Sequence, residues 1–166
     1  MVLGMSLATF TFVHVLISLI GIGSGLVVAY GLLAAKPLDG WTATFLATTT
    51  LTSLTGFLFP VEHLLPSHIV GIISLVILAL AIFARYGGHL TGSWRCIYIV
   101  SSVIALYLNC FVAVVQSFMK IPALKALAPT QKEPPFLIAQ IALMVLFIVL
   151  GIFAVRNFRV TRLAAA

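Results

Sequence analysis

The chain has 166 residues, of which 63% are hydrophobic and only 7% carry a charge. A soluble domain of this size needs a charged shell around its apolar core, so this composition excludes an ordinary soluble protein and indicates an integral membrane protein. The formal net charge is +6. Basic residues that flank membrane spans explain this charge most simply, so no nucleic-acid partner is expected.

Five apolar segments predict five transmembrane helices, because about 20 apolar residues cross the hydrocarbon core of a bilayer. The second segment is short and rich in Thr and Ser, whose hydroxyls can bond carbonyls of the preceding turn and are tolerated in lipid. No Lys or Arg precedes the long first segment, so we expect an uncleaved first span. The predicted fold is a single all-α helical-bundle domain over residues 1–166, with spans at about Leu7–Ala35, Thr42–Phe59, His68–Ala84, Trp94–Met119 and Pro135–Val155.

The basic residues predict how these spans are oriented. Short loops that are richer in Lys and Arg stay cytoplasmic, so the N-terminus is predicted outside and the C-terminus in the cytoplasm. The C-terminal stretch RNFRVTR indicates a juxtamembrane anchor for anionic lipid. The six residues on the predicted inner side are Lys36, Arg85, Arg95, Arg156, Arg159 and Arg162, and the three on the outer side are Lys120, Lys125 and Lys132.

The connection between the second and third spans, PVEHLLPSH, carries an unusual set of polar residues. Glu62 and His63 lie between its two prolines, and His68 follows the second proline. The predicted orientation makes this connection an extracytoplasmic turn, with Ser67 as the N-cap of the third span.

His14 lies in the first span, about 10 Å below its outer end. It shares a helical face with Thr11, Ser18, Gly21 and Gly25, at spacings of three or four residues. Because these residues are small or polar, we expect this face to contact other helices rather than lipid. We expect His14 itself to point into the bundle, toward Gln116, Gln140 or His68.

The fourth and fifth spans add Gln116 and Gln140 at a depth similar to that of His14, and Asn109 near the middle of the fourth span. Asn109 and Gln116 are seven residues apart on one stripe of the fourth span. Burying polar groups in lipid is costly unless they meet a partner or water. We therefore predict an outward-facing polar pocket formed by His14, Ser18, Glu62, His63, His68, Asn109, Gln116 and Gln140.

Such a pocket favours a binding or transport module for a small molecule or a proton. A b-type haem held by His14 and His68 is one alternative. A divalent metal at Glu62, His63 and His68, with or without His14, is another. In a third alternative, the polar residues only hold the helices together in an accessory or scaffold subunit. The chain has no carboxylate pair, no nucleophile–base pair and no intramembrane acid, so the sequence disfavours an enzyme. A homo-oligomer or a partner in a membrane complex stays open.

The outer loop KIPALKALAPTQKEPPF is the longest connection in the chain. Its LKAL stretch predicts a turn of interfacial helix, and Pro134 and Pro135 predict the start of the fifth span. The loop is either a lid over the outer pocket or a solvated connector.

Four stretches, TGFLFP, LLPSH, ALYLN and LAPTQKEPPF, resemble those of small, uncharacterised bacterial inner-membrane proteins. The resemblance covers most of the chain. It implies a multi-pass helical bundle in a bacterial inner membrane, and it implies no activity, cofactor or catalytic residue.

Overall fold

The computed structural model describes residue 2 and the ranges 4–60 and 66–158. All regular elements in this part of the chain are helical, apart from one bridged pair near the N-terminus. A π-helical turn at Phe83–Gly87 extends the third helix. The six helices are α1 Leu7–Leu33, α2 Asp39–Gly56, α3 Pro66–Ile82, α4 Ser93–Lys120, α5 Pro122–Leu127 and α6 Pro134–Asn157.

The long helices agree with the predicted spans to within about three residues at their starts and ends. Two predicted details of the connections have different outcomes. The helical turn predicted at LKAL is present as α5, and Pro134 and Pro135 begin α6 as predicted. The N-cap predicted at Ser67 is wrong, because α3 already begins at Pro66. Proline suits the first turn of a helix, where no amide hydrogen is needed.

Four helices of the described ranges are long and apolar enough to cross a membrane, so the fold is compatible with a membrane helical bundle. They are α1, α3 with its π-helical turn, α4 and α6. The helix α2 is not among them, although its 18 residues extend over about 27 Å. Hydroxyls along α2 donate to carbonyls three or four residues earlier, as Thr44, Thr48, Thr50, Ser53 and Thr55 do.

The first four helices pack in a ring. In chain order each contacts the next, α4 returns to contact α1, and α6 lies against α4 and α1. The apolar core contains Val28, Phe45, Tyr98 and Leu106. We name the end with the C-terminus of α1 and the N-terminus of α4 the packed end. The opposite end, with the N-terminus of α1 and the C-termini of α2 and α4, is the cavity end.

The helices α1 and α2 meet along an antiparallel seam of small and polar residues. We define this α1–α2 seam by five successive positions of contact. From one position to the next, toward the cavity end, the residue number falls by three or four on α1 and rises by three or four on α2 and the residues that follow it. In order they are Gly25 with Phe45, Gly21 with Thr48 and Thr49, Ser18 with Thr52, His14 with Thr55, and Phe10 with Phe59. The predicted inward face of α1 is therefore confirmed.

Polar contacts fasten the packed end. The Arg85 guanidinium pairs with Asp39 of α2 and lies over the Tyr98 ring, 5.1 Å from its centre. Arg95 donates to the carbonyls of Val155 and Phe158 at the end of α6. A cation that bonds the last carbonyls of a helix satisfies groups that lack partners within the helix.

Gly25 is the closest approach in the α1–α2 seam, so a methyl group there should destabilise the bundle. A Cβ at Gly25 would lie 2.5 Å from Leu106 Cδ1 and 2.9 Å from the Phe45 ring, whereas a Cβ at Gly23 would meet no atom within 4 Å. We expect Gly25→Ala to lower the free energy of unfolding by about 1–3 kcal/mol through overpacking. The matched control Gly23→Ala should be neutral or stabilising, by about 0.5–1 kcal/mol. SDS unfolding in mixed micelles measures both, and equal stability of the two variants would contradict the seam.

Candidate functional site

A cavity of about 530 Å³ lies at the cavity end, between α1, α2, α3 and α4. Its walls are mostly apolar, and Lys120 is the one cation among its described lining residues. Small-molecule sites have volumes of about 300–1,000 Å³ and combine apolar walls with a few polar groups. Five of the eight predicted site residues line this cavity: His14, Ser18, His68, Asn109 and Gln116.

Of the other three predicted residues, one is described and lies elsewhere. Gln140 does not line the cavity, and its Nε2 donates instead to the Phe111 carbonyl of α4 at 3.4 Å. This follows from the position of α6, which contacts α4 and α1 while the cavity is enclosed by the first four helices. Glu62 and His63 lie outside the described residues.

His14 is half-buried, and its bonding defines the state of its ring. Nδ1 lies 2.8 Å from the Thr55 hydroxyl oxygen, and that hydroxyl lies 2.7 Å from the Leu51 carbonyl, to which it donates. The hydroxyl has a single hydrogen, so when it donates to that carbonyl it accepts from His14, and Nδ1 then carries the proton. Within the described residues Nε2 has no hydrogen-bond partner. In the neutral ring, Nε2 is therefore an acceptor available to a ligand.

The partners predicted for His14 were Gln116, Gln140 or His68, and this part of the prediction is wrong. Those residues share its depth, but α2 is the helix that runs beside α1 at His14. A residue of α2 therefore reaches the ring first. Ser18 behaves similarly, because its hydroxyl donates to the His14 carbonyl at 3.0 Å and lies 3.3 Å from the Thr52 hydroxyl.

His68 lies in the first turn of α3 and is only 7% exposed. Its ring centre is 5.5 Å from that of Phe57, at the end of α2. His14 and His68 therefore reach the same cavity from two different helices. Among the residues that the structure describes, no group of three or more His, Cys, Asp or Glu side chains converges on a metal position.

Two side chains at the inner end of the cavity have unpaired polar atoms. Asn109 is 8% exposed and Thr49 is 2% exposed. Within the described ranges, neither Asn109 Nδ2 nor the Thr49 hydroxyl has a hydrogen-bond partner. Both atoms lie beside Gly21, where a Cβ would be 3.1 Å from each.

Thr49 is a cavity residue that the sequence analysis missed. The α2 sequence contains many hydroxyl residues, so no single one stood out. A signal was nevertheless present, because Thr49, Thr52, Ser53 and Gly56 recur at helical spacing and all line the cavity. This small and polar face of α2 complements the face of α1 that contains His14.

The outer loop is folded back onto α4 near the cavity. Gln131 Nε2 donates to the Val115 carbonyl at 3.0 Å, and Ile121 lines the cavity. The Glu133 carboxylate accepts bonds from Thr130 and Lys132. Desolvation raises the pKa of Glu133, but these hydrogen bonds together outweigh it, so its pKa is lowered. The loop is therefore an ordered connection, and its role as a lid stays a prediction.

No protein-family model, curated protein or solved structure matches this chain. The chemistry of the cavity is what indicates a function. It offers hydroxyl and amide groups, two imidazoles and one ammonium group to a bound molecule, inside apolar walls.

The His14–Thr55 pair should couple α1 to α2 energetically. We expect His14→Leu to lower the free energy of unfolding by about 1–2 kcal/mol, and His14→Gln to be tolerated because its amide can still donate. Thr55→Val removes the acceptor, so adding it to His14→Leu should cost less than the sum of the two single changes. Unfolding of the four proteins by SDS in mixed micelles tests this. Strictly additive losses would show that the pair contributes no coupling.

Proposed function

We propose that this protein is a five-span bundle of the bacterial inner membrane whose cavity takes a small molecule from the extracytoplasmic side. The observation that carries the proposal is the cavity of about 530 Å³, in which polar groups from the first four helices converge within apolar walls. This combination is typical of ligand sites.

The charges support the orientation. The described basic residues divide between the two ends. Lys36, Arg85, Arg95 and Arg156 belong to the packed end, and Lys120, Lys125 and Lys132 belong to the cavity end. All the arginines of the described ranges are in the first group. The positive-inside rule then puts the packed end in the cytoplasm. In this orientation, Arg156 at the end of α6 meets anionic lipid. Arg159 and Arg162, for which the same contact is predicted, lie outside the described residues.

The pairing of α2 with both α1 and α3 supports counting it as the fifth span. Its hydroxyls bond its own carbonyls, which removes much of the cost of placing them in lipid.

Binding, rather than open conduction, agrees with the shape of the interior. Below Gly21 the bundle is filled by Phe45, Leu106 and Tyr98, each no more than 2% exposed. A molecule that enters the cavity end therefore meets a packed core at the depth of Gly25. Transport would require these side chains to rearrange, whereas binding requires no such change.

A b-type haem is the second candidate. His14 and His68 line one cavity, and Nδ1 of His14 is already bonded, which is the arrangement in which an imidazole presents Nε2 to a metal. These two residues would hold the haem iron, and the haem would supply one-electron transfer.

Thiol labelling tests the proposed orientation. The background lacks the native Cys96 and Cys110, and single cysteines replace the exposed residues Lys125 in α5 and His89 in the loop before α4. We expect a membrane-impermeant maleimide to label Lys125→Cys on intact spheroplasts, and His89→Cys only after the membrane is opened. The reverse pattern would place the cavity on the cytoplasmic side.

Mass spectrometry of the protein purified from its own membrane tests the proposed binding. We expect a non-covalent small-molecule adduct on the unmodified protein and its loss in Ser18→Phe, because the added ring fills the cavity. The matched control is Ile138→Phe in α6, because Ile138 is 64% exposed and does not line the cavity. This variant should keep the adduct. Absence of any adduct would favour a purely structural polar layer.

A visible spectrum of the same sample separates the haem alternative. A Soret band that disappears in both His14→Ala and His68→Ala would assign the adduct to haem. A colourless protein that still carries an adduct would eliminate haem and leave the small-molecule proposal standing.

A further inference from the structure

The unpaired atoms at the inner end of the cavity identify the kind of molecule it takes. We infer that the ligand is an uncharged, largely apolar molecule whose buried end carries an oxygen that accepts hydrogen bonds from Asn109 and Thr49. This inference rests on the proposed function and specifies its ligand class.

The first step is that these two side chains need a partner. Buried polar groups in proteins are nearly always hydrogen-bonded, yet Asn109 Nδ2 and the Thr49 hydroxyl have no partner within the described ranges. Asn109 Nδ2 can only donate, so its partner must be an acceptor. Neither atom is exposed to the cavity in this structure, so both side chains must turn to reach a ligand. The preferred angles about the last side-chain bond of Asn are broad, and a hydroxyl has alternative staggered positions.

The second step concerns the charge of the ligand. The lining residues near the inner end are neutral, and Lys120, the one cation among the described lining residues, ends α4 eleven residues after Asn109. An anion at the inner end would be buried without a counter-charge, which is strongly unfavourable. A carbonyl, ether or hydroxyl oxygen meets the requirement without that cost.

The third step is the contribution of His14. Its Nε2 is an acceptor without a partner among the described residues. His14 lies seven residues, about 10 Å, from Gly21 on the side of the cavity mouth. A second polar group on the ligand, nearer the mouth, could therefore donate to His14, while the oxygen at the inner end uses Asn109 and Thr49. Most of the remaining wall area is apolar, with contributions from Leu19, Leu108 and Val112. These residues fit an alkyl or isoprenoid body.

Cysteine protection measures occupancy of the cavity. Val112 lines the cavity, so Val112→Cys in the background without Cys96 and Cys110 reports on it. The rate of modification by methyl methanethiosulfonate is measured in micelles against increasing decane, 2-decanone or decanoate. We expect 2-decanone to protect at a concentration about tenfold lower than decane, which is the ratio that one hydrogen bond provides.

Substitutions then locate the oxygen. Asn109→Leu and Thr49→Val should each raise the half-protecting concentration of 2-decanone toward that of decane, while leaving protection by decane unchanged. Ser102→Ala is the matched control, because Ser102 is a buried and unpaired hydroxyl on the same helix that does not line the cavity. It should change neither value.

The outcomes separate the two proposals. Equal protection by decane and 2-decanone would overturn the assigned ligand class and leave small-molecule binding intact. Stronger protection by decanoate would overturn it as well and move the polar contact to Lys120. Protection by none of the three would overturn the proposed function itself. If Asn109→Leu kept the preference for 2-decanone over decane, the groups that donate to the ligand oxygen would lie elsewhere in the cavity, and the assignment to Asn109 would be overturned.

Discussion

The α1–α2 seam is the interaction on which the rest of this molecule depends. Toward the cavity end, the α1 residues become larger, from the glycines to Ser18 and His14. The facing α2 residues become smaller, from Phe45 to the hydroxyl side chains, and the seam ends with Phe10 against Phe59. The pair of helices therefore stays in contact along its whole length. The helix α4 approaches α1 closely at the glycines, through Leu106 and Asn109. The space that opens beyond this contact is the cavity.

Polar groups play two different roles within this arrangement. The hydroxyls of α2 and the His14 ring satisfy one another and the local backbone, as lipid requires. Asn109 Nδ2 and the Thr49 hydroxyl are exceptions, because they have no partner within the described ranges. Ser102 and Gln140 also have buried atoms without a partner in the described ranges, but neither lines the cavity. Asn109 and Thr49 combine the two properties, so the proposed ligand contact is assigned to them.

Sequence reasoning predicted the features that depend on one helix at a time. Helix positions followed from the apolar runs, and the inward face of α1 followed from the spacing of His14, Ser18, Gly21 and Gly25. It failed where the answer depended on which helices are neighbours. Gln140 and His14 lie at a similar depth, so depth alone predicted that they share the pocket. However, α6 packs against α4 and α1, on the opposite side of the bundle from α2 and α3, which line the cavity. Thr55 was overlooked because the repeated hydroxyls of α2 concealed the single one that faces the imidazole.

The position of α6 has a consequence for how the protein is made. Every described residue that lines the cavity precedes Pro122, so the whole lining is synthesised before α6 leaves the ribosome. Because membrane helices enter the bilayer in chain order, the first four can close around the cavity while the rest of the chain is still being translated. The last helix then docks onto a preformed surface of α4 and α1, where Arg95 donates hydrogen bonds to the carbonyls of Val155 and Phe158.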